Sequence, residues 1–144
     1  MLRRILSIFL ILGGVAFAQN SNPPFEGTHW TLTELNGEAV TPSADQRAAY
    51  LQFTADGNKV AGSTGCNRLA GAYKRGKQSL KFSPLITTRM ACLGPAMEQE
   101  NKFNSAMGKV TRYRIENDTL ILSSGGTALA KFKAQPASQP GAEN

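Results

Sequence analysis

Histidine occurs once in the 144 residues and cysteine twice. A four-ligand zinc site would have to recruit all three together with a carboxylate, and a cluster held by several thiolates is excluded. Two cysteines are also too few for a dense disulfide scaffold. Missing as well are a Gly-rich phosphate loop, an HExxH pair and a serine elbow. With no RNA-binding aromatic motif and no helix-turn-helix pattern, neither a cofactor nor a nucleic-acid partner is expected. What is present is 41% hydrophobic and 18% charged residues, too apolar for wholesale disorder, at a length that fits one domain.

The N-terminus stands apart from the rest. Arg3 and Arg4 precede an apolar run from Ile5 to Phe17, which ends in the small-x-small site Ala16-Phe17-Ala18 and then turns polar at Gln19. This pattern predicts a secretory signal peptide over residues 1–18, cleaved near Ala18. The run falls short of the about 20 apolar residues a bilayer span needs, and no cysteine lies at the cleavage site for acylation. The mature chain is therefore expected to be periplasmic or secreted, with no transmembrane segment; a monomer is expected, though nothing in the sequence decides the oligomeric state.

Loss of Arg3 and Arg4 takes the 16 basic residues to 14, against 10 acidic, so the net charge falls from +6 to +4. Basic side chains gather at Arg68, Lys74, Arg75, Lys77 and Lys81, and again at Lys109, Arg112 and Arg114. Such groups favour an anionic surface or ligand, or form a solvated face.

After a lead-in over 19–26, expected to be flexible, turn signals recur at Asn36-Gly37, Asp56-Gly57, Arg75-Gly76, Asn117-Asp118 and Gly125-Gly126. Their spacing predicts antiparallel β structure. Trp30 and Leu32 share one face, Leu51 and Phe53 alternate with polar neighbours, and Leu80 and Phe82 do the same. From Pro95 to Met107 the period changes: Ala96, Phe103, Ala106 and Met107 fall on one helical face, Pro95 suits the first position, and Gly108 can stop the helix. Three strands follow, over 110–115, 119–123 and 127–133, with Ala128, Ala130 and Phe132 on one side of the last. The predicted fold is β-rich α+β: a small antiparallel barrel or strongly curved sheet with one helix at about 95–107, in a domain spanning 27–133. A disordered tail is expected over 134–144.

The opening Trp30-x-Leu32-x-x-Leu35-Asn36-Gly37, the Leu51-x-Phe53 strand, Gly65-Cys66-Asn67 with Gly71-x-Tyr73, Thr88-Arg89-Met90-Ala91-Cys92, Glu100-x-x-Phe103 and Leu120-x-Leu122 follow in an order that resembles the META domain, also called the HslJ-like family. The resemblance runs from about Trp30 to Phe132. It implies one compact β-rich domain with a helix, commonly exported in bacteria. Members have been linked to heat-shock response, antibiotic tolerance and, in parasites, virulence or motility. It implies no reaction and no cofactor. Gly65, Asn67, Arg89, Met90 and Glu100 are the motif positions, either structural or a partner site.

In an oxidising compartment the two cysteines are expected to form a Cys66–Cys92 disulfide. The competing reading makes one of them a nucleophile, and His29, the one imidazole, would have to serve as its base. Glu98 and Glu100, two positions apart on a helix, point to different sides and make no catalytic carboxylate pair. Such a disulfide would bring Asn67 near Arg89, and Glu100 at the edge of the apolar helix face is expected to pair with Arg89 or Arg68. Gly62, Gly65 and Gly71 suggest sharp turns or close backbone approach. The expected function is a non-enzymatic, stress-associated binding or stabilising module of the envelope, whose partner is a protein or another envelope component. The alternative is an inhibitor of an extracellular lysozyme or protease, acting through 37–46 or Leu93-Gly94-Pro95.

Overall fold

The computed structural model describes residues 22–41 and 47–135. The predicted signal peptide, the first lead-in residues, the expected tail beyond Gln135 and part of the 37–46 loop lie outside them. Among the described residues, ten strands and one α-helix run in the order β1 (His29–Leu35), β2 (Glu38–Ala39), β3 (Tyr50–Thr54), β4 (Lys59–Ser63), β5 (Arg68–Arg75), β6 (Leu80–Phe82), β7 (Ile86–Thr87), α1 (Pro95–Lys109), β8 (Arg112–Glu116), β9 (Thr119–Ser124) and β10 (Thr127–Gln135).

All pairings are antiparallel, in the spatial order β6-β5-β4-β3-β1-β10-β9-β8, with β2 added to β1 and β7 to β5. A bridge between Ser79 and Arg112 brings the two ends together. There Leu80 N donates to Thr111 O at 3.1 Å and Tyr113 N to Gln78 O at 3.1 Å. The result is the expected barrel, nearly closed, so most strand edges find partners.

The alternation seen in the sequence sets the inside. Trp30, Leu32, Leu51, Phe53, Leu120, Leu122 and Phe132 are buried in one core. Burying a side chain of this size contributes about 1.5–3 kcal/mol. Trp30 also needs a partner for its ring N–H, and Nε1 donates to Phe25 O at 3.0 Å. In β10 a register shift between Ala128 and Ala130 interrupts the expected alternation, leaving Ala130 and Phe132 buried and Ala128 only half-buried. Gly62 in β4 confirms the close-approach expectation, because a Cβ there would overlap the Tyr50 carbonyl oxygen.

Several boundaries differ from the sequence reading: β8 spans Arg112–Glu116 rather than 110–115, β9 runs on to Ser124, and three further differences bear on the core. The lead-in carries Phe25 into the core at 4% exposure, where it stacks on Phe53 with ring centroids 4.1 Å apart. β10 continues through Ala134 and Gln135, which pair with Trp30 and His29. The helix does not stop at Gly108 but at Lys109, where Val110 N bonds back to Met107 O at 3.4 Å. Along α1 the buried side is Ala96, Glu100, Phe103, Ala106 and Met107, which faces β1, β10 and β6. Phe103 meets Phe132 edge-on with centroids 6.3 Å apart. Helix and barrel thus share one core, and a carboxylate lies at its margin.

Candidate functional site

The β4–β5 connection, the segment after β7 and the first half of α1 meet around Asn67. Thr64 begins the connection, and its Oγ1 accepts from Asn67 N at 2.9 Å and Cys66 N at 3.3 Å, a turn held by a hydroxyl. Thr64 N donates to Asn67 O at 2.9 Å. Gly65 turns at φ 97°, and a Cβ there would lie 2.7 Å from Gln99 Nε2. Only glycine meets both demands without strain. Gln99 in turn donates from Nε2 to Thr64 O at 2.9 Å.

Asn67 is 2% exposed and joins all three elements. Its Oδ1 accepts from Met90 N at 2.7 Å and Thr88 Oγ1 at 2.9 Å. The Nδ2 donates to Glu100 Oε2 at 2.8 Å and to Met90 O at 3.3 Å. A backbone N–H on one end and a carboxylate on the other fix the amide's orientation. Glu100, 7% exposed, accepts at Oε2 from both Asn67 and the Thr64 hydroxyl, the latter at 3.1 Å. A buried carboxylate needs such donors. The expected ion pair of Glu100 with Arg89 or Arg68 is not formed: hydrogen-bond donors from a tight turn satisfy the carboxylate, and both arginines are exposed. Desolvating a guanidinium would have been the costlier solution.

The Cys66–Cys92 disulfide closes the same junction, with Cα atoms 5.9 Å apart. Thr88 adds two bonds to β5, from its N to Arg68 O at 3.0 Å and to its Oγ1 from Arg68 N at 3.1 Å. Of the five motif positions, Gly65, Asn67 and Glu100 lie within this junction. Met90 is bound through its backbone while its side chain is 60% exposed, and Arg89 faces solvent. Sequence reasoning passed over Thr64 and Gln99 and took Thr88 only as part of a motif. The Thr64-x-x-Asn67 spacing around a glycine was a legible signal for a hydroxyl-closed turn.

The segment thus fastened has an unusual outside. Ile86, Met90 and Leu93 are the exposed large hydrophobic residues among those described, at 75%, 60% and 91%. Leu93 precedes Gly94, at φ 59°, and the Pro95 start of α1. The catalytic alternative finds its groups engaged elsewhere: the two sulfurs bond each other, and His29 stacks on Tyr50 with centroids 4.2 Å apart. Burial pushes the His29 imidazole below its ordinary range.

A nearly closed antiparallel barrel with one helix, tied at this junction, defines a class of small β-rich domain. Residues 23–136 match the META domain, and the chain belongs to that family, as the motifs indicated. Three solved structures share the fold. An NMR structure of a protein from Burkholderia xenovorans has a TM-score of 0.63 and 25% identity, covering 89% of this chain and 99% of that one. A second NMR structure has a TM-score of 0.61 and 24% identity over 76% of this chain and 90% of its own. The crystal structure of a DUF4847 family protein from Bacteroides vulgatus reaches 0.55 at 16% identity, covering 76% and 93%. Among curated proteins, none matches the chain. No helix among the described residues is long and apolar enough to cross a membrane.

Proposed function

We propose that this META-domain protein is an exported, non-enzymatic module of the bacterial envelope, stress-associated, that binds and stabilises a partner through the segment from Ile86 to Leu93. The observation that carries this reading is the contrast within that segment. Its backbone is fixed by Asn67, Thr88 and the disulfide, while its apolar side chains point outward. A rigid backbone presenting exposed apolar groups lowers the ordering cost of binding, and exposed apolar clusters mark interaction surfaces. Export is supported by the leader pattern before Gln19 and by the disulfide. The engagement of both cysteines and the stacking of His29 support a non-enzymatic role.

The test is capture from envelope extracts with the immobilised protein, followed by mass spectrometry, in parallel with a Met90→Ser/Leu93→Ser variant. A component recovered by the parent and lost with the variant is the expected result. Identical recovery from both would overturn the assignment of the segment. Cells lacking the gene are expected to show altered sensitivity to envelope stress, and unchanged sensitivity would remove the stress association.

A second reading has its own observation. Leu93, on a disulfide-pinned loop, has the form of a residue that enters an active-site cleft, as in an inhibitor of an extracellular hydrolase. Assays of lysozymes and proteases with the parent and a Leu93→Ser variant separate this reading. Inhibition lost with the side chain supports it, and no inhibition across the panel removes it.

A further inference from the structure

Resting on the binding role of this segment, we infer that its partner is an anionic membrane surface, with Leu93, Met90 and Ile86 entering the headgroup layer and arginines meeting the lipid charge. Three features lead there.

First, the apolar side chains project rather than line a cleft. Four clefts on the described surface, of 330, 310, 370 and 300 Å³, are lined by other residues. Apolar side chains that project from a fixed backbone can enter a fluid lipid surface, which closes around them. Second, the surrounding cations pair with no described carboxylate. Arg89 lies within the segment, Arg68 is bonded to Thr88 through its backbone, and Arg47 lines a cleft with Arg68. Among the described residues, no carboxylate lies within 4 Å of any of these three guanidinium groups.

Third, most of the described carboxylates are engaged with other cations, Glu98 included, which follows the segment on the first turn of α1. Glu26 pairs with Arg75, Glu34 with Lys131, Glu38 and Glu98 with Lys102, Glu116 with Arg114, and Asp118 with Lys133. Glu100 is buried in the junction. Asp56, which pairs with no described cation, sits in the β3–β4 turn, at the opposite end of β4 from Ser63. Positive charge beside exposed apolar side chains is the composition of a peripheral membrane contact, in which insertion and charge attraction act together.

The experiment is co-sedimentation with vesicles. The protein used begins at Gln19, which removes the apolar run from Ile5 to Phe17 and keeps the core from Phe25 to Phe132. It is offered phosphatidylcholine vesicles with or without phosphatidylglycerol. Binding is expected to the anionic vesicles, to weaken with salt, and to fall at least tenfold on phosphatidylcholine alone. Arg68→Gln/Arg89→Gln is expected to weaken it about 30-fold, taking about 1 kcal/mol for each cation near the surface. Ile86→Ser/Met90→Ser/Leu93→Ser is expected to weaken it at least tenfold. Unchanged urea midpoints for both variants establish that the fold is intact.

Absence of binding, equal binding to both vesicle types, or binding that survives both variants would overturn the inference. If vesicles fail while envelope extracts yield a protein captured through Met90 and Leu93, the membrane assignment falls and the binding role stands. If both fail, the binding role falls with it.

Discussion

Two segments without long strands of their own are tied to this barrel, and they are tied in opposite ways. Pro24 to Gly27, before β1, is held through what it buries. Phe25 stacks on Phe53, packs against Tyr73 and Tyr113 at centroid distances of 5.7 and 4.9 Å, and lies under the Arg75 guanidinium. Glu26 pairs with Arg75 at 2.7 Å. Thr88 to Gly94, after β7, is held by polar groups and one covalent bond, while its large apolar side chains remain outside. A segment that exists only to close a barrel puts its apolar groups in the core. One fastened by polar bonds keeps them available.

The largest expected effect tests the first half of that contrast. Phe25→Ala removes a buried aromatic ring and the surface on which Arg75 rests, and is expected to cost about 3–5 kcal/mol in urea unfolding. Phe25→Leu, closer in volume, should cost clearly less. A loss under about 1 kcal/mol for the alanine variant would mean that the lead-in is not part of the cooperative fold.

Next in size is the disulfide. Cys66 and Cys92 are separated by 26 residues, for which the chain-entropy argument gives about 3.5 kcal/mol. Reduction, or replacement of both residues by serine, is expected to lower stability by up to that amount, with the change read from the unfolding midpoint. The polar bonds around Asn67 should keep the segment in place at low denaturant. Protection of the Met90 amide against hydrogen exchange after reduction checks this, since that N–H donates to Asn67 Oδ1. Loss of its protection alone would show that the covalent link, rather than the amide network, positions the segment.

Glu100→Gln acts on the network itself. An amide retains one acceptor oxygen but loses the charge that strengthens the bonds from Thr64 and Asn67, so a loss of about 1–2 kcal/mol is expected. Calorimetry of the variant measures it, and an unchanged melting temperature would remove Glu100 from the structural account.

The ways in which these regions were legible differ too. Trp30, Leu32, Leu51 and Phe53 announced their strands because period-two alternation is a direct imprint of one buried face. β4 and β5 were harder to read: Gly62, Gly71, Ala61 and Ala70 dilute the contrast between faces, since small residues pack on either side. Phe25 was hidden by its polar, proline-rich neighbours, and its burial depends on rings from β3, β5 and β8 that only the closed barrel assembles. Glu100 was conspicuous as an acid on an apolar helix face. Its partners were misjudged because charge suggested arginine, whereas burial favours donors that carry no desolvation cost of their own comparable to an ion's.

Acid–base chemistry separates the two segments again. The Tyr73 hydroxyl donates to Glu26 Oε1 at 3.2 Å and lies near Thr54 O at 3.3 Å. Burial, and then the Glu26 carboxylate, holds its phenol above the ordinary value near 10. The folded state therefore keeps this proton where the unfolded chain releases it. The contribution is complete below about pH 10 and is lost as pH rises through the folded value. Melting temperature against pH should fall above 10, and Tyr73→Phe should flatten that decline. A decline of the same steepness in the variant would place its origin elsewhere.

The smallest expected effect is the most discriminating. Leu93→Ser exchanges a large apolar side chain, as Phe25→Ala does, but at a position 91% exposed. Since the side chain leaves water in neither the folded nor the unfolded chain, the change in stability should stay within about 0.5 kcal/mol. Equilibrium unfolding beside Phe25→Ala gives the comparison directly. A cost above about 1 kcal/mol would mean that Leu93 packs against the domain in solution, and the segment would then be a second strap. A cost near zero, with binding lost, would separate what the apolar side chain does for the partner from what the disulfide and Asn67 do for the fold.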